Sequence, residues 1–358
     1  MRIGFDAKRY YHNKTGLGNY SRDLVDALKH EYPNEDFYLL DKPNLENLYQ
    51  KNQIQHTQSA GPFWRLHGIL NDIKTFNLDV FHGLSNELPY GNWPENTKKV
   101  VTIHDVIYKL YPHQYPLFDR LIYHQKTKHA IAIADTIIAT SQATANDLIL
   151  HYKANENKVK VVYQTCGNAH WKSYSVDEIN GYKKKQNLNY PFLLYVSSFQ
   201  QRKNHLALIK AFALLQNKTI KLVLAGRKGD TYLACKKLIE ELNLQSQILF
   251  LTDLETADLP LLYRSAHGFV YPSMIEGFGI PLIEAACAGL PIAVNNINVF
   301  KEIAPQGTLY FDINNPQIVA ETLSNLAQMP KTDYSLHLLQ FTPKHCAEKV
   351  FEVYKILS

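Results

Sequence analysis

The sequence predicts an α/β protein with two doubly wound, Rossmann-like domains. Short apolar runs typical of buried strands alternate with amphipathic helical stretches, which is the pattern of parallel sheets covered by helices on both faces. The chain has 358 residues, enough for two domains of ordinary size. Residues 164–189 are polar and interrupt the alternation, so they predict a linker between a first domain at 1–170 and a second at 190–335.

The composition of the chain argues against several classes of protein. Hydrophobic residues make up 46 % of the chain, and the net charge of +5 is too small to argue for a nucleic-acid partner. The four cysteines lack the spacing of a metal site, and the chain opens on a strand rather than on a signal peptide. The longest apolar stretch, around residues 130–139, is too short to span a bilayer. We therefore expect a cytoplasmic protein.

Each domain is predicted to contain one parallel sheet with helices between its strands. In the first domain, strands are expected at 2–6, 37–40, 80–82, 99–103, 136–140 and 158–163, and helices at about 20–29, 62–76, 116–134 and 142–150. In the second domain, strands are expected at 192–196, 220–225, 248–251, 268–271, 292–294 and 309–311, and helices at 205–216, 231–242, 258–266, 281–288 and 318–326. An amphipathic helix is expected at 346–357.

A glycine pair precedes the first long helix. Gly16 and Gly18 match part of a dinucleotide-binding fingerprint, but Ser21 occupies the third glycine position. About ten residues also separate the glycines from the first strand, whereas a dinucleotide turn follows its strand at once. We therefore predict a loop that faces a phosphate at the helix start. The simpler alternative is that one glycine only caps the helix.

Two predicted helices of the first domain combine apolar and basic residues. The helix at 62–76 places Phe63 and Trp64 beside Arg65, and the helix at 116–134 carries several basic residues. This mixture predicts reversible contact with a membrane surface. The alternative is that the aromatic side chains belong to the core and the basic ones are solvated.

Polar side chains directly follow two of the predicted strands. His104 follows the strand at 99–103, and Arg202 and Lys203 come shortly after the strand at 192–196. The carboxyl ends of parallel strands form the edge where open α/β sheets bind ligands, and a basic pair there suits a phosphate. The alternatives are a buried histidine satisfied within the protein and a solvated basic pair.

The most informative stretch follows the strand at 268–271. It begins as a loop that contains Glu276 and two glycines, and it continues as a helix in which Pro281 suits the first position and which carries Glu284. Glycines let backbone N–H groups approach a ligand closely, and a helix start favours an anion. Strand, loop and helix thus predict a ligand crevice with two carboxylates at different depths.

This stretch resembles the Glu-x7-Glu signature of the retaining glycosyltransferases of family 4, which have the GT-B fold. The matching letters are E-G-F-G-I-P-L-I-E-A, from Glu276 to Ala285. The resemblance implies two Rossmann-like domains that face each other across a cleft, with helix 343–358 packing on the first domain. It also implies that Glu276 hydrogen-bonds the donor sugar and that Glu284 binds the ribose hydroxyls. The donor is further expected to contact Gly277, Phe278, Gly279 and Ile280.

The same resemblance assigns roles to the other candidates. Arg202 and Lys203 resemble the basic pair that clamps the donor diphosphate, and His104 resembles a histidine beside the donor sugar and the acceptor. Gly16 and Gly18 resemble a glycine loop that touches the diphosphate. The residues expected to act in catalysis are therefore Glu276, His104, Arg202 and Lys203.

The chemistry of sugar transfer agrees with these roles. Negative charge develops on the leaving phosphate, so fixed positive groups are needed there. The sequence has no Asp-x-Asp triplet of the metal-dependent transferases, so we expect no metal site and no cofactor. No further acidic residue stands out as a nucleophile, and the resemblance implies same-face attack. Replacing Glu276 by alanine is expected to abolish transfer without harming the fold, because a loop carboxylate contributes little to a core.

The sequence thus predicts a metal-independent, retaining hexosyltransferase. Its Gly-x-Gly-x-Tyr and Glu-Gly-Phe-Gly segments resemble those of bacterial mannosyltransferases of surface-polysaccharide biosynthesis. That implies GDP-mannose as donor and a glycan or lipid-linked saccharide as acceptor, at the inner face of the membrane. Departures from the family at Ser197, Thr252 and Lys301 leave a UDP-sugar donor open. A sugar-nucleotide hydrolase or epimerase and a non-catalytic binding module are the remaining alternatives.

Overall fold

The computed structural model describes residues 1–41, 63–217 and 219–357, and the chain divides into two compact units. The first unit comprises Met1–Cys166 together with the C-terminal segment from Gln340, and the second comprises Gly167–Leu339. Each unit contains one six-stranded sheet in which all paired strands are parallel. The predicted α/β class with two doubly wound sheets is confirmed.

The sheet of the first unit has the strand order β2-β1-β3-β4-β5-β6. Its strands are β1 (Arg2–Asp6), β2 (Asp36–Leu40), β3 (Val80–Gly83), β4 (Lys98–Ile103), β5 (Thr136–Ala139) and β6 (Val159–Val161). Because the order reverses between β1 and β3, the loops that follow these two strands diverge and leave a crevice at the carboxyl edge.

Among the described residues of the first unit, six α-helices precede its last strand. They are α1 (Lys8–His12), α2 (Gly16–Glu31), α3 (Ile69–Thr75), α4 (Ile107–Leu110), α5 (Leu117–Ile133) and α6 (Gln142–Tyr152), and a π-helical segment, Trp64–Gly68, leads into α3. Ser141 caps α6, because its hydroxyl accepts a hydrogen bond of 3.0 Å from the backbone N–H of Thr144.

The sheet of the second unit has the order β12-β11-β10-β7-β8-β9. Its strands are β7 (Phe192–Val196), β8 (Lys221–Ala225), β9 (Ile248–Leu251), β10 (Gly268–Tyr271), β11 (Ile292–Asn295) and β12 (Leu309–Phe311). Every residue of β7, β10 and β11 is buried, which explains why these strands read as unbroken apolar runs. The order reverses between β7 and β10, so the ligand crevice of this unit lies after these two strands.

The predicted linker at 164–189 is wrong, because residues 167–189 form part of the second unit. The helices of this unit are α7 (Val176–Lys185), α8 (His205–Ala213), α9 (Tyr232–Glu241), α10 (Leu259–Ser265), α11 (Ile280–Cys287), α12 (Asn298–Ile303), α13 (Pro316–Leu326) and α14 (Ser335–Leu338). The sequence of this segment is mostly polar, because Tyr182 is the one buried residue of α7. A capping box between Ser175 and Glu178 starts this helix, and its three lysines complement the negative end of the helix dipole.

The last helix, α15 (Pro343–Leu357), packs within the first unit against α2. The ring of Phe351 stacks on Tyr32 with centroids 3.7 Å apart, and Tyr354 is fully buried. The hydroxyl of Tyr354 and Nδ1 of His82, on β3, share a hydrogen bond of 2.6 Å. The first sheet is therefore covered on one face by residues from both ends of the chain.

The helix predicted at 62–76 to face a membrane has few of its named side chains on the surface; residue 62 lies outside the described residues. Trp64 is 3 % exposed, and its indole N–H donates to Asp72, so this ring belongs to the core. Arg65 is not solvated, because it pairs with Asp6 and Glu87. Phe63 alone of this group is exposed, at 68 %. Among the described helices, none is both long and apolar enough to cross a bilayer.

Candidate active site

The crevice of the second unit brings together three of the predicted site residues. Arg202 and Lys203 lie in a short 3-10 turn after β7, and Glu276 lies in the loop after β10. Nζ of Lys203 contacts Oε1 of Glu276, and Nη1 of Arg202 is 3.2 Å from Oε2 of the same carboxylate. Residues more than seventy positions apart thus form one ion cluster at the switch point of the sheet.

Burial strengthens the electrostatic interactions between the three charged side chains of this cluster. The side chains of Glu276 and Lys203 are 9 % and 10 % exposed, and that of Arg202 is 20 % exposed. Burial by itself would raise the pKa of Glu276, but Lys203 and Arg202 outweigh it and lower the pKa to about 2. Two cations against one anion leave a net charge of +1, which suits an incoming phosphate.

Local structure holds the two loops in register. Asn204 adopts φ 58°, a left-handed conformation that ends the 3-10 turn and starts α8. The hydroxyl of Tyr195, on β7, donates to the carbonyl of Lys203 at 2.7 Å. The backbone N–H of Met274 donates to the carbonyl of Arg202 at 2.9 Å. The positions of the cations are therefore fixed by backbone contacts as well as by the ion pairs.

The segment between the two carboxylates forms a tight helix start. Gly277, Phe278 and Gly279 are buried, and α11 begins at Ile280. Gly279 has φ 117°, where a side chain would be strained, and an added Cβ would also lie 3.0 Å from the ring of Phe300. The loop is thus shaped by glycine in the way that the sequence predicts, and its N–H groups lie at a helix N-terminus.

Glu284 lies within α11 and has partners of its own. It is 8 % exposed, and Oε2 accepts a hydrogen bond of 2.6 Å from the hydroxyl of Tyr263. Oε1 is 3.5 Å from Nε2 of His170. The two carboxylates of the signature therefore have separate partners: Glu276 contacts the cationic pair, and Glu284 contacts a tyrosine and a histidine.

The first unit contains a cavity of about 190 Å³ at the edge where its strand order reverses. The residues that line it come from the segments after β1, β3 and β4 and from α5, and they include Arg9, Glu87, His104, Asp105, Tyr108, Tyr115, Tyr123 and Lys126. Beside it, Glu87 accepts from Arg65 and from Lys126, the latter at 2.8 Å. These two cations lower the pKa of Glu87 despite its burial. Carboxylates and tyrosine rings in one cavity are the groups that bind sugar hydroxyls and sugar faces.

His104 lines this cavity, but both of its ring nitrogens are engaged within the protein. Nε2 is 2.9 Å from the carbonyl of Leu84, which can only accept, so Nε2 carries the proton. Nδ1 then accepts from the amide of Gln164 at 3.0 Å. Burial lowers the pKa of His104, against opposing effects of the Leu84 carbonyl and Asp105, so the ring is neutral. This is the geometry of the satisfied histidine that the sequence left as the alternative.

Gly16 and Gly18 lie in the first turn of α2 and not in a loop, which corrects the sequence interpretation. Thr15 is the N-cap residue, so neither glycine has the capping role either. An added Cβ on Gly18 would lie 1.8 Å from the carbonyl oxygen of Asn13, whereas one on Gly16 would meet nothing within 4 Å. Gly18 is thus required for packing, and only Gly16 leaves open space beside the helix start.

Sequence reasoning missed several residues around both sites. Asp6, Arg65 and Glu87 join three distant segments, and no motif connects them. His170 and Tyr263 had no pattern that separates them from other buried aromatic residues. Among the residues that the structure describes, no group of three or more His, Cys, Asp or Glu side chains could hold a metal ion.

Two family models match the chain and together span most of it. "Glycosyltransferase Family 4" matches residues 16–165, in the first unit. "Glycosyl transferases group 1" matches residues 178–336, in the second unit, and includes Arg202, Lys203, Glu276 and Glu284.

Similar proteins include polysaccharide mannosyltransferases. O-antigen chain mannosyltransferase B of Escherichia coli is 24 % identical over the full length of both chains. An O-antigen chain mannosyltransferase of Salmonella typhimurium is 25 % identical over 65 % of this chain and 62 % of its own. Among solved structures, HepE of Anabaena with UDP and glucose has a TM-score of 0.74 at 16 % identity, covering 99 % of this chain and all of HepE. Sucrose-phosphate synthase of Thermosynechococcus elongatus has a TM-score of 0.76 at 19 % identity, covering 100 % and 99 %.

The two parallel-sheet units and these matches define an enzyme that transfers sugars, a glycosyltransferase with the GT-B fold. Within that class, the chain belongs with the family 4 glycosyltransferases that its sequence resembles. The predicted family resemblance, fold and enzyme class are confirmed.

Proposed function

We propose that this glycosyltransferase moves a mannosyl residue from GDP-mannose, with retention of configuration, to a saccharide acceptor carried on a lipid. The observation that carries the proposal is the buried cluster of Arg202, Lys203 and Glu276 at the switch point of the second sheet. Mannose is supported by relatives that are named mannosyltransferases of O-antigen chains. Guanine as the base is what the resemblance of the sequence to bacterial mannosyltransferases implies.

The cluster suits the leaving diphosphate and the sugar at once. Arg202 can bind two phosphate oxygens, and Lys203 adds a compact point charge. As the bond to the anomeric carbon breaks, these cations stabilise the negative charge on the departing phosphate. Their positions are preset by Glu276, so little reorganisation is needed when the donor binds.

Glu276 is better suited to hold sugar hydroxyls than to attack the sugar. Its pKa of about 2 makes it a weak base, and two cations already share its charge. A double displacement requires a carboxylate free to bond the anomeric carbon. We therefore propose same-face attack, in which the acceptor hydroxyl loses its proton to the departing phosphate.

The acceptor is proposed to bind in the cavity of the first unit. Asp105 and Glu87 can accept hydrogen bonds from sugar hydroxyls, and Tyr108 and Tyr123 can pack on the apolar faces of a sugar ring. His104 contributes to this cavity as part of its wall, because both ring nitrogens bind protein groups. A positioning role for its ring edge stays a proposal.

The test is a panel of nucleotide sugars incubated with the enzyme and with membranes that contain lipid-linked saccharides. The proposal predicts transfer from GDP-mannose, with the same anomeric configuration in product and donor by NMR. Transfer from a UDP-sugar instead would keep the enzyme class and change the donor. Free mannose as the main product, with and without acceptor, would indicate a hydrolase and contradict the proposal.

We further propose that the enzyme contacts the inner membrane face through the N-terminal half of α5. Leu117, Phe118 and Leu121 are 65 %, 72 % and 54 % exposed and lie within one turn of each other. Lys128, farther along the same helix, is also exposed. Exposed apolar side chains with a nearby cation favour reversible interfacial binding. Lys126, one of the basic residues of this helix, is instead paired with Glu87.

Vesicle co-sedimentation tests this contact. We expect binding to vesicles with anionic lipids at low salt, and we expect the Phe118→Ser and Leu121→Ser double variant to reduce it several-fold. Leu233→Ser is the matched control, because Leu233 is 75 % exposed on α9 of the other unit. Equal binding of the double variant and the wild type would contradict the proposed surface.

A further inference from the structure

His170 lies beside Glu284 in the second unit, at the point where the chain enters that unit. It belongs to a 3-10 turn, Asn168–Trp171, and its side chain is 5 % exposed. Nε2 is 3.5 Å from Oε1 of Glu284, and the ring lies edge-on to Tyr263 with centroids 5.6 Å apart. Nδ1 is buried and has no hydrogen-bond partner within the described part of the chain. A buried polar atom without a partner is unusual, and it calls for an explanation.

The carboxylate of Glu284 is held from two sides. The hydroxyl of Tyr263 donates to Oε2 at 2.6 Å, while the imidazole of His170 faces Oε1. A carboxylate has about four acceptor directions, so these contacts leave others for hydroxyl groups of a ligand. A carboxylate whose rotation is restricted binds a pair of hydroxyls with less loss of entropy.

The segment that carries His170 is anchored to the same helix as Tyr263. The guanidinium of Arg264, on α10, donates to the carbonyl of His170 at 2.9 Å and to that of Lys172 at 2.7 Å. The same guanidinium lies over the ring of Tyr174, 4.8 Å from its centroid. Consecutive residues of α10 therefore fix the hydroxyl on one side of Glu284 and the backbone that places the imidazole on the other.

The imidazole can act only as a hydrogen-bond donor toward Glu284, because a carboxylate accepts. Burial lowers the pKa of His170, although the charge of Glu284 opposes that effect. The ring is thus neutral at pH 7, with its proton on Nε2 and its lone pair on Nδ1. In this tautomer the N–H at Nε2 faces Glu284, and Nδ1 is an acceptor without a donor in the described part of the chain.

We propose that His170 is a positioning residue, which with Tyr263 holds the Glu284 carboxylate in the orientation that accepts the ribose hydroxyls of a bound nucleotide. This inference rests on the proposed function, which assigns the nucleotide to the second unit. The distance of 3.5 Å between Nε2 and Oε1 is long for a hydrogen bond. Functional hydrogen bonds are often long without ligand and shorten in the complex.

The test compares nucleotides with and without ribose hydroxyls. We propose calorimetric titrations of the wild type, His170→Gln and His170→Asn with two pairs of nucleotides. The pairs are GDP with 2′,3′-dideoxy-GDP, and UDP with its dideoxy analogue. A glutamine amide can place its N–H near Nε2, whereas an asparagine amide lies near Nδ1. We expect the wild type to prefer the ribose form. His170→Asn should reduce that preference roughly tenfold, as for loss of one hydrogen bond to a charged group, and His170→Gln should retain most of it.

The control is His337→Asn. His337 is in the same unit, and its Nε2 donates to the carbonyl of Ile303 at 2.9 Å. If His170→Asn is not folded by circular dichroism, Tyr263→Phe removes the other contact to Glu284 and should also reduce the preference for ribose.

Three outcomes would overturn the inference. The first is an unchanged ribose preference in His170→Asn, and the second is an equal loss of affinity for the ribose and dideoxy forms in that variant. In both of these outcomes the wild type still binds the nucleotides and prefers the ribose forms, so the proposed function stands. The third is a wild type that binds neither GDP nor UDP, which overturns the nucleotide assignment itself.

Discussion

At the residue scale, the pairing of Glu276 changes what its removal should do. The sequence suggested a loop carboxylate whose loss would spare the fold. In the structure it is buried between Lys203 and Arg202, so removing it leaves two cations without their counterion. Breaking a buried ion pair from one side is strongly destabilising. The reason for that expectation therefore fails, and we predict a loss of stability as well as the loss of transfer.

The variant Glu276→Gln should be less stable than the wild type at neutral pH, and the difference should shrink in acid. The pKa of Glu276 is lowered from 4.5 to about 2, so its ionisation stabilises the fold above the unfolded pKa. That contribution is roughly 3 kcal/mol at pH 7 and is lost as the pH falls from about 4.5 toward 2. Urea unfolding at pH 7 and pH 3 measures both values.

A matched control for this prediction is Glu241→Gln. Glu241 is 56 % exposed and pairs with Lys237 along α9, so its neutralisation should change stability by less than about 0.5 kcal/mol. A difference between Glu276→Gln and the wild type that is the same at both pH values would contradict the buried ion cluster.

The position of His104 could be predicted from the sequence, but its hydrogen-bond partners could not. Its place at the end of an apolar strand located it correctly at the carboxyl edge of the sheet. Its two ring contacts come from Leu84 and Gln164, which lie 20 and 60 positions away in the chain. Partners at such distances follow from the packing of separate βα units and leave no local signature.

At the element scale, buried strands were predictable and polar helices were not. The strands β1, β7, β9, β10 and β12 begin and end where the sequence predicted. For β7 and β10 the reason is that every residue is buried, so each strand appears as a short apolar run. Helix α7 was taken for a linker because one buried tyrosine gives no periodic pattern. Helix α12 has only six residues and was not predicted.

Helix α15 should stabilise the first unit through a buried hydrogen bond. Tyr354 and His82 are fully buried, and the second nitrogen of His82 is 2.8 Å from the hydroxyl of Thr102. Tyr354→Phe leaves Nδ1 of His82 unsatisfied, so we expect a loss of about 1–3 kcal/mol in the free energy of unfolding. GDP affinity should not change, because the proposed nucleotide residues belong to the second unit.

Urea unfolding and calorimetric titration with GDP check this prediction. Tyr310→Phe is the control, because Tyr310 is 41 % exposed and its hydroxyl makes only a 3.4 Å contact. A Tyr354→Phe variant as stable as the wild type would show that this hydrogen bond contributes nothing measurable.

At the scale of the whole molecule, the expected chemistry needs no divalent metal. The sequence lacks an Asp-x-Asp triplet, and Arg202 and Lys203 can supply the positive charge that the leaving diphosphate requires. We expect the rate of transfer to be unchanged by a chelator and by added magnesium or manganese. Loss of turnover in the chelator, restored by either metal, would contradict this expectation.

The division of the chain was harder to predict than its class. Alternating strands and helices gave the α/β class with two sheets, and the Glu-x7-Glu stretch gave the family. The boundary was missed because α7 and the turn with His170 join the second unit through contacts with α10. Those contacts connect residues about ninety positions apart, so they became visible only in the structure.

The central claim is that Lys203 and Arg202 anchor the donor of a mannosyl transfer. The most direct measurement is the initial rate of transfer from radiolabelled GDP-mannose to the lipid fraction, for the wild type, Lys203→Ala and Lys237→Ala. Lys237 is 78 % exposed on α9 and serves as the control. We predict that Lys203→Ala lowers the rate by roughly 10²–10³, the range for losing one group that stabilises developing charge, and that the control retains the wild-type rate. Equal rates for all three proteins, or no transfer by the wild type, would contradict the account.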